Sequence, residues 1–306
     1  METKQKTTLT QGSVARGMLL FALPIFISNL FQQLYNAADS LIVGNFLGGE
    51  ALAAVGSSGS LIFLLTGFVN GVSLGAGVVV AVLDTGITAH SDLDANILPG
   101  YDFISDTFVS RDGDLRDADP RDEGDWNPVA GECYAGSPVQ DSSWHGTHVA
   151  GTVAEVTNNA KGMAGGAFDA KVVPARVLGR CGGYTSDISD AVIWASGGTV
   201  AGVPANANPA EVINLSLGGS GACSAVEQNA FNIAIANGST VGVAAGNDAG
   251  NVSGYSPGSC AGVITGGATR ITGGIASYSG VAGRLQTEGL RVLHKSRPQP
   301  YLPLIA

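Results

Sequence analysis

Basic residues are scarce in this sequence. Lysine and arginine number 15 against 25 aspartates and glutamates, which gives a formal net charge of −10 at pH 7. The imbalance is concentrated in residues 78–280, where the net charge is −13. Because binding to nucleic acid depends on basic side chains that neutralise phosphates, this composition argues against a nucleic-acid partner.

Aromatic residues and closely spaced cysteines are also few. Aromatics make up 7% of the chain, and none of the four cysteines forms a Cys-x-x-Cys pair, so we expect no structural zinc site. The sequence is instead rich in glycine, with 45 in 306 positions, and 45% of its residues are hydrophobic. This length and composition favour two domains, of which the acidic middle is a soluble, glycine-rich α/β domain.

Charged residues are missing altogether from two long stretches. Residues 17–38 provide 22 uncharged positions and residues 51–83 provide 33, and either run could cross a hydrocarbon layer about 30 Å thick. Lys4, Lys6 and Arg16 precede the first run, so the positive-inside rule places the N-terminus in the cytoplasm. A secretory signal peptide is the alternative, but its apolar region is shorter than this run. We therefore predict membrane contact through residues 17–83.

The segment from Leu9 to Ala81 resembles the opening of a multidrug and toxic compound extrusion (MATE) transporter, over its first two transmembrane helices. Asp39 matches the carboxylate that such transporters use in ion coupling, and acidic groups at membrane depth are costly and usually functional. The resemblance implies two hydrophobic, transmembrane-type helices over residues 1–77. Since two helices cannot line a substrate pathway, a fragment of a cation antiporter is only an alternative function.

Two short motifs further on carry groups suited to acid–base chemistry. Asp84, in Val-Leu-Asp-Thr-Gly, follows a β-branched run at residues 78–83 that predicts a buried strand. His145 opens His-Gly-Thr-His-Val-Ala-Gly-Thr, whose small residues allow a helix to start tight against a sheet. The apolar spacing predicts that His145 caps this helix and that it continues through Val156. A histidine placed in this way is able to act as a general base.

Together the two motifs resemble those of the subtilisin-like serine proteases. The resemblance covers residues 78–280 and implies an α/β fold, with a parallel sheet and helices on both faces. It implies that Asp84 orients the imidazole, that His145 is the general base of an Asp/His/Ser triad, and that catalysis needs no cofactor. His148, three residues further on, is assigned to packing and hydrogen bonding.

Two later stretches match further landmarks of these proteases in the expected order. Residues 212–219 predict a buried strand that runs into a small-residue edge. The resemblance implies that Ser216, Leu217 and Gly218 pair there with the backbone of an extended polypeptide substrate. Asn247 follows a second apolar strand and matches the side chain that donates a hydrogen bond to the oxyanion.

The nucleophile is missing from this pattern. These proteases carry a Gly-Thr-Ser-Met-Ala type motif downstream of the oxyanion asparagine, and the 306 residues contain none. Ser277 and Ser279 lie in what resembles the preceding strand and are not substitutes. We therefore predict a C-terminally truncated domain without proteolytic activity, whose apolar residues 241–245 and 263–265 are exposed by the loss of a covering helix. A non-catalytic peptide-binding remnant is a further alternative.

The four cysteines all lie in the protease-like segment, and an even number suits disulfide bridges. Three pairings are possible. We favour Cys133 with Cys181 and Cys223 with Cys260, each pair joining neighbouring loops. Bridges indicate a secreted or periplasmic origin, because cytoplasmic thiols stay reduced. Two membrane crossings from a cytoplasmic N-terminus would instead return the chain to the cytoplasm.

This conflict favours a chimera. Residues 77–83 fit both the end of the second transporter helix and the first strand of the protease-like sheet, so we place the join there. The predicted parts are a membrane hairpin (1–77), an incomplete protease domain (78–280) and an unassigned, unstructured tail (281–306) with a net charge of +3. A natural protease tethered by a transporter-derived anchor is the alternative.

An acidic loop lies between the two catalytic motifs. Calcium favours about six to eight oxygen ligands, and the resemblance implies a structural calcium ion in such a loop. The alternative is a solvated loop whose charge is offset by arginines. The candidate ligands are Asp112, Asp114, Asp117, Asp119 and Asp125.

Overall fold

A computed structural model describes residues 77–167, 169–268, 270, 275–281 and 304–305. Residues 1–76 of the predicted membrane hairpin, with Asp39, lie outside the described residues, as does most of the predicted tail. Within the described ranges, no helix is both long enough and apolar enough to cross a membrane.

A six-stranded sheet organises the described part of the chain. Its strands, which we number in chain order, are β1 (Val79–Asp84), β2 (Tyr101–Asp102), β3 (Lys171–Arg176), β5 (Val212–Leu215), β7 (Thr240–Ala244) and β9 (Ile264–Gly266). Their spatial order is β2-β3-β1-β5-β7-β9, and every neighbouring pair is parallel. Short strands pair outside this sheet: β4 (Gly183–Tyr184) with β10 (Leu304–Ile305), and β6 (Gly219–Ser220) with β8 (Tyr255–Ser256). The predicted parallel sheet is confirmed.

Strand β1 lies in the interior of the sheet, between β3 and β5. Val80 is in register with Val172 of β3 and with Val212 of β5, so both edges of β1 are paired. The β-branched run suits this place because a parallel strand is buried on both faces. Residues 79–83 also belong to the second run predicted to cross a membrane, and for them that prediction is wrong, since their backbone is part of the sheet.

Helices cover both faces of the sheet, as predicted. They are α2 (His145–Ala154), α3 (Thr185–Ala195) and α4 (Ala225–Ala236), and a short helix, α1 (Thr107–Ser110), precedes them in the chain. Side chains alternate along β1, so Val80 and Val82 pack on the α2 side whereas Ala81 and Leu83 pack on the side of α3 and α4. The two resulting cores hold the sheet between them.

The extent of α2 differs from the prediction. It begins at His145, after Trp144 in a left-handed conformation, and it ends at Ala154 rather than at Val156. The backbone N–H of Val156 donates to the carbonyl of Asp92, which lies 64 positions earlier, instead of continuing the helix. A long-range hydrogen bond therefore ends α2, and the local apolar pattern gave no sign of it.

The predicted apolar exposure is largely absent. Val241, Val243 and Ala245 are each at most 3% exposed. Val241 and Val243 belong to the core that includes Phe231 of α4, and Gly280 packs so closely on Ala245 that a Cβ there would lie 1.9 Å from the carbonyl oxygen of Ala245. In residues 263–265 only Ile264 is exposed.

Both predicted disulfide bridges are present. Cys133 is bonded to Cys181 across a sequence separation of 48 residues, and Cys223 is bonded to Cys260 across a separation of 37. The second bridge joins the segment before α4 to the turn before β9.

Candidate active site

The predicted site residues lie at the ends of adjacent parallel strands. Asp84 is the last residue of β1, Ser216 follows β5 directly, and Asn247 lies three residues after β7. The carboxyl ends of parallel strands share one edge of a sheet, which is where α/β proteins carry their functional groups. The topology therefore brings these three positions to one edge, in the order β1, β5, β7.

The start of α2 packs directly on the turn that follows β1. A Cβ at Gly146 would lie 2.3 Å from the carbonyl oxygen of Gly86 and 3.1 Å from the Cβ of Asp84. Only glycine fits at position 146, because the closest atom is backbone that cannot rotate away. Gly86 itself has φ 106°, a conformation that favours glycine. The small residues of the two motifs thus permit the contact between helix and strand that the sequence predicted.

This close approach places the His145 ring on the Asp84 carboxylate. Nδ1 of His145 lies 2.8 Å from Oδ1 and 2.9 Å from Oδ2 of Asp84. The aspartate is fully buried, and its Oδ1 also accepts a hydrogen bond from the backbone N–H of Thr85 at 2.8 Å. The Asp84 carboxylate raises the pKa of His145 above its ordinary value of 6.5, although burial acts in the opposite direction.

The geometry of this pair suits general-base chemistry. When Nδ1–H donates to the carboxylate, the neutral ring has its lone pair on Nε2, where it can accept a proton from a hydroxyl. A carboxylate in this position also stabilises the imidazolium that forms. The pair can therefore activate a nucleophile presented to the exposed third of the His145 side chain.

Of the two serines near the end of the described chain, Ser279 has a hydroxyl that is already engaged. Ser277 and Ser279 lie in a turn, not in the strand that the sequence predicted. Ser279 is 2% exposed, and its Oγ accepts from the backbone N–H of Ala268 at 2.8 Å and donates to the carbonyl of Gly280 at 3.0 Å. Its hydroxyl is committed to the local backbone, as expected for a structural serine.

The segment predicted to bind the substrate backbone follows β5. Ser216 is half-buried and its Oγ accepts from the side-chain amide of Asn214 at 3.0 Å, while Leu217 packs in the core. A Cβ at Gly218 would lie 2.7 Å from the carbonyl oxygen of Ser256, so this position also requires glycine. Asn247 is half-buried and follows Gly246, whose φ is 95°. Their roles in binding substrate and oxyanion stay predictions.

Two of the five aspartates predicted as calcium ligands contact other residues in the described structure. Asp112 pairs with the buried Arg176 at 2.5 Å, and Asp125 accepts from the backbone N–H of Ser143 at 2.6 Å, beside α2. Desolvation and the neighbouring carboxylates of Asp117 and Asp112 raise the pKa of Asp114. In the described residues, the one group of three potential ligands with atoms within 4.8 Å of one another is Cys223, Glu227 and Cys260, whose cysteines are disulfide-bonded. Calcium binding by these five aspartates stays a prediction.

A different aspartate has the character of a cation ligand and was missed in the sequence. Asp92 is 1% exposed, and its Oδ2 has no hydrogen-bond partner among the described residues. Its Oδ1 is contacted by the amide of Asn159, and a Cβ at Gly162 would lie 2.2 Å from Oδ2. A buried carboxylate oxygen without a partner suits a bound cation. The residues come from segments about 70 positions apart, so no local motif indicates them.

A buried aspartate at a strand end, held against a histidine that opens a helix, defines a site of the triad-hydrolase class. Comparison with known proteins agrees. The subtilase family model matches residues 75–289, which is more than two thirds of the chain, and the MatE family model matches residues 24–83. The chain therefore belongs to the subtilase family.

Individual relatives are similar over the same region. An extracellular protease of Xanthomonas campestris pv. campestris is 66% identical over 205 residues, which are 67% of this chain and 35% of the relative. An extracellular basic protease of Dichelobacter nodosus is 58% identical over 153 residues, 49% of this chain and 25% of the relative. A solved protease structure from Pseudoalteromonas arctica has 60% identity and a TM-score of 0.66, covering 68% of this chain and 61% of that one. The chain thus spans only about a quarter to a third of the length of these curated relatives.

Proposed function

We propose that residues 75–289 are part of a serine endopeptidase that hydrolyses extended polypeptides outside the cytoplasm. Asp84 orients His145, His145 acts as the general base, Asn247 donates to the oxyanion, and Ser216, Leu217 and Gly218 pair with the substrate backbone. Membership of the subtilase family, two disulfide bridges and relatives described as extracellular proteases support this proposal. The observation that carries it is the contact of His145 Nδ1 with both carboxylate oxygens of Asp84.

The 306 residues by themselves lack the serine that such a base would activate, so we propose that they hydrolyse no peptide bond. In subtilisin, where the effect is known, loss of the serine alone lowers turnover by about a million-fold. The test compares the 306-residue chain with a version in which the Xanthomonas relative's segment replaces the residues after Gly280. We expect casein hydrolysis only in the extended version, blocked by a serine-directed phosphonylating agent and abolished by Asp84→Ala or His145→Ala.

Two outcomes would contradict the proposal. Hydrolysis by the 306-residue chain, blocked by the same agent, would show that a nucleophile is present among these residues. If the extended version folds but cleaves no peptide bond, the proposed endopeptidase function is refuted. An inactive chain that still binds an extended peptide would favour the peptide-binding alternative for this chain.

We further propose that the chain is a chimera joined within residues 75–83. The two family matches overlap in this range, which includes most of β1, and the MATE-like part is a transmembrane hairpin in this proposal. A fragment of this kind, with Asp39 but without facing helices, would transport nothing. Independent DNA reads of the source that run continuously across residues 75–85 would exclude an assembly artefact. Reads that stop or diverge there would establish one.

We also propose that any structural calcium ion binds through Asp92 and Asn159. The unpartnered, buried Oδ2 of Asp92 supports this location, and backbone carbonyls and water would supply the remaining ligands. The test is calorimetric titration of the full chain with CaCl2, alongside Asp92→Asn and the acidic-loop variant Asp114→Asn. We expect Asp92→Asn alone to lose the binding heat. Loss of the binding heat in Asp114→Asn alone would indicate that the ion binds in the acidic loop. If the wild-type chain gives no binding heat at millimolar calcium, both locations are excluded.

A further inference from the structure

Two buried carboxylates beside the start of α2 are not used by the triad. Asp122 and Asp125 lie on the loop that precedes α2, and they are 3% and 1% exposed. Aspartate is almost never buried to this degree unless its charge is paired or hydrogen-bonded. What the two side chains contact therefore indicates why they are buried.

Asp122 is connected to α2 through a hydroxyl group. Its Oδ2 accepts from Thr85 Oγ1 at 2.6 Å, and the same Oγ1 accepts from the backbone N–H of Gly146 at 2.9 Å. The other oxygen, Oδ1, accepts from the backbone N–H of Gly124 at 2.8 Å, which fixes the carboxylate in its own loop. Because Thr85 must donate to Asp122, its lone pairs are left to accept the N–H of the first helical turn.

Asp125 is connected to the residue before the helix. Its Oδ1 accepts from the backbone N–H of Ser143 at 2.6 Å, and Ser143 Oγ in turn accepts from the backbone N–H of His145 at 3.3 Å. The N-cap residue, Trp144, provides no side-chain hydrogen bond of its own. The first N–H groups of a helix need partners, and here Ser143 provides one for His145 and Thr85 provides one for Gly146.

The same carboxylates act on the His145 ring. The Asp84 carboxylate raises the pKa of His145, burial opposes it, and Asp125 and Asp122 raise it further. Burial raises the pKa of Asp122, whereas its bond from Thr85 and the charge of Arg176 act in the opposite direction. Negative charge near a helix N-terminus is also favourable. Three acidic groups on two segments therefore raise the pKa of the base: Asp84 at the end of β1, and Asp122 and Asp125 on the loop.

We propose that Asp122 and Asp125 are positioning residues for the general base. They fix the first turn of α2 through Thr85 and Ser143, and together with Asp84 they stabilise the imidazolium form of His145. Neither touches substrate. This role rests on the function proposed above, in which His145 accepts the proton of the nucleophile.

The test follows the titration of His145 by NMR in the 306-residue chain, where no hydrolysis is needed. The variants are Asp122→Asn and Asp125→Asn, which keep the shape of each side chain and remove its charge. The matched control is Glu123→Gln, which removes the same charge one residue away, where Glu123 pairs with the exposed Arg121 at 3.3 Å. We expect the titration midpoint to fall in both aspartate variants by more than in the control. Midpoints that move no more than in Glu123→Gln would overturn the electrostatic part.

The positioning part is tested in the extended, serine-containing version. We expect kcat to fall on the order of tenfold or more in Asp122→Asn and in Thr85→Val, with KM within about twofold, because the base is misplaced while the substrate contacts remain. If Asp122→Asn does not fold, Asp125→Asn and Thr85→Val carry both measurements. Unchanged kcat in variants that fold would refute the positioning role. An extended version without any activity would instead refute the proposed function. The titration of His145 would still test the electrostatic part, because it is measured without hydrolysis.

Discussion

Replacing Gly146 by alanine should separate helix α2 from β1. The new Cβ would lie 2.3 Å from the carbonyl oxygen of Gly86, whereas ordinary contact begins at 3.4 Å, so the helix start must move by about 1 Å. Overpacking of this kind costs about 1–3 kcal/mol, and alanine returns up to about 1 kcal/mol of helix propensity. The movement also stretches the contacts of 2.8 and 2.9 Å between His145 and Asp84.

The matched control is Gly151→Ala in the same helix. Its Cβ would meet the Glu155 carboxylate at 2.9 Å, and this flexible side chain can turn away. The control should therefore be neutral or stabilised by up to about 1 kcal/mol. Because the gain in helix propensity is common to both variants, the difference between them is the overpacking cost of roughly 1–3 kcal/mol. Urea unfolding measures this difference, and the low-field NMR signal of His145 Nδ1–H reports the contact with Asp84. Two variants of equal stability, both with this signal, would refute the packing argument.

Three further predictions concern stability. Because Asp84 raises the pKa of His145, the imidazolium stabilises the folded state fully below about pH 6.5, and this contribution is lost as the pH rises through the raised pKa. The free energies of unfolding of wild type and His145→Gln, measured in urea, should therefore converge with rising pH. A difference in unfolding free energy that stays constant with pH would contradict this. Arg176→Met should cost about 3–5 kcal/mol at pH 8, because it leaves the buried Asp102, now 2.5 Å from the guanidinium, without its charged partner. Burial raises the pKa of Asp102 to about 7, so the cost of Arg176→Met should be smaller at pH 5, where Asp102 is protonated. If the cost at pH 5 is as large as at pH 8, the unpaired charge is not its cause. Replacing both Cys223 and Cys260 by serine should lower the free energy of unfolding by about 3 kcal/mol. Thermal unfolding against the wild type under non-reducing conditions measures this loss. An unchanged unfolding midpoint would exclude a stabilising role for the bridge.

Much of the site could be predicted because its signals are local. The β-branched run before Asp84 and the small residues after His145 are contiguous motifs, and each forms the element that its pattern predicts. The order of the strands along the chain then brings Asp84, Ser216 and Asn247 to one edge of the sheet. Both disulfide pairings were also predicted, since each joins loops that the fold makes neighbours.

The remaining features depend on contacts between distant positions. Asp122 contacts Thr85 across 37 positions and the carbonyl of Asp92 ends α2 from 64 positions away, and neither contact leaves a periodic pattern in the sequence. The acidic loop is the opposite case, because its charge density is plain in the sequence while the partners of Asp112 and Asp125 are not. Burial of Ala245 likewise follows from the approach of Gly280, which only the folded chain brings close.

The place of β1 between β3 and β5 has a consequence for synthesis on the ribosome. Both neighbours of β1 are made later, and β5 ends at Leu215, about 130 residues after Asp84. At about 5–20 residues per second, a nascent chain carries this apolar strand unpaired on that side for roughly 7–26 s. An unpaired strand of this kind is a template for aggregation, so the yield of soluble protein should depend on chaperones that shield residues 79–84 until β5 emerges.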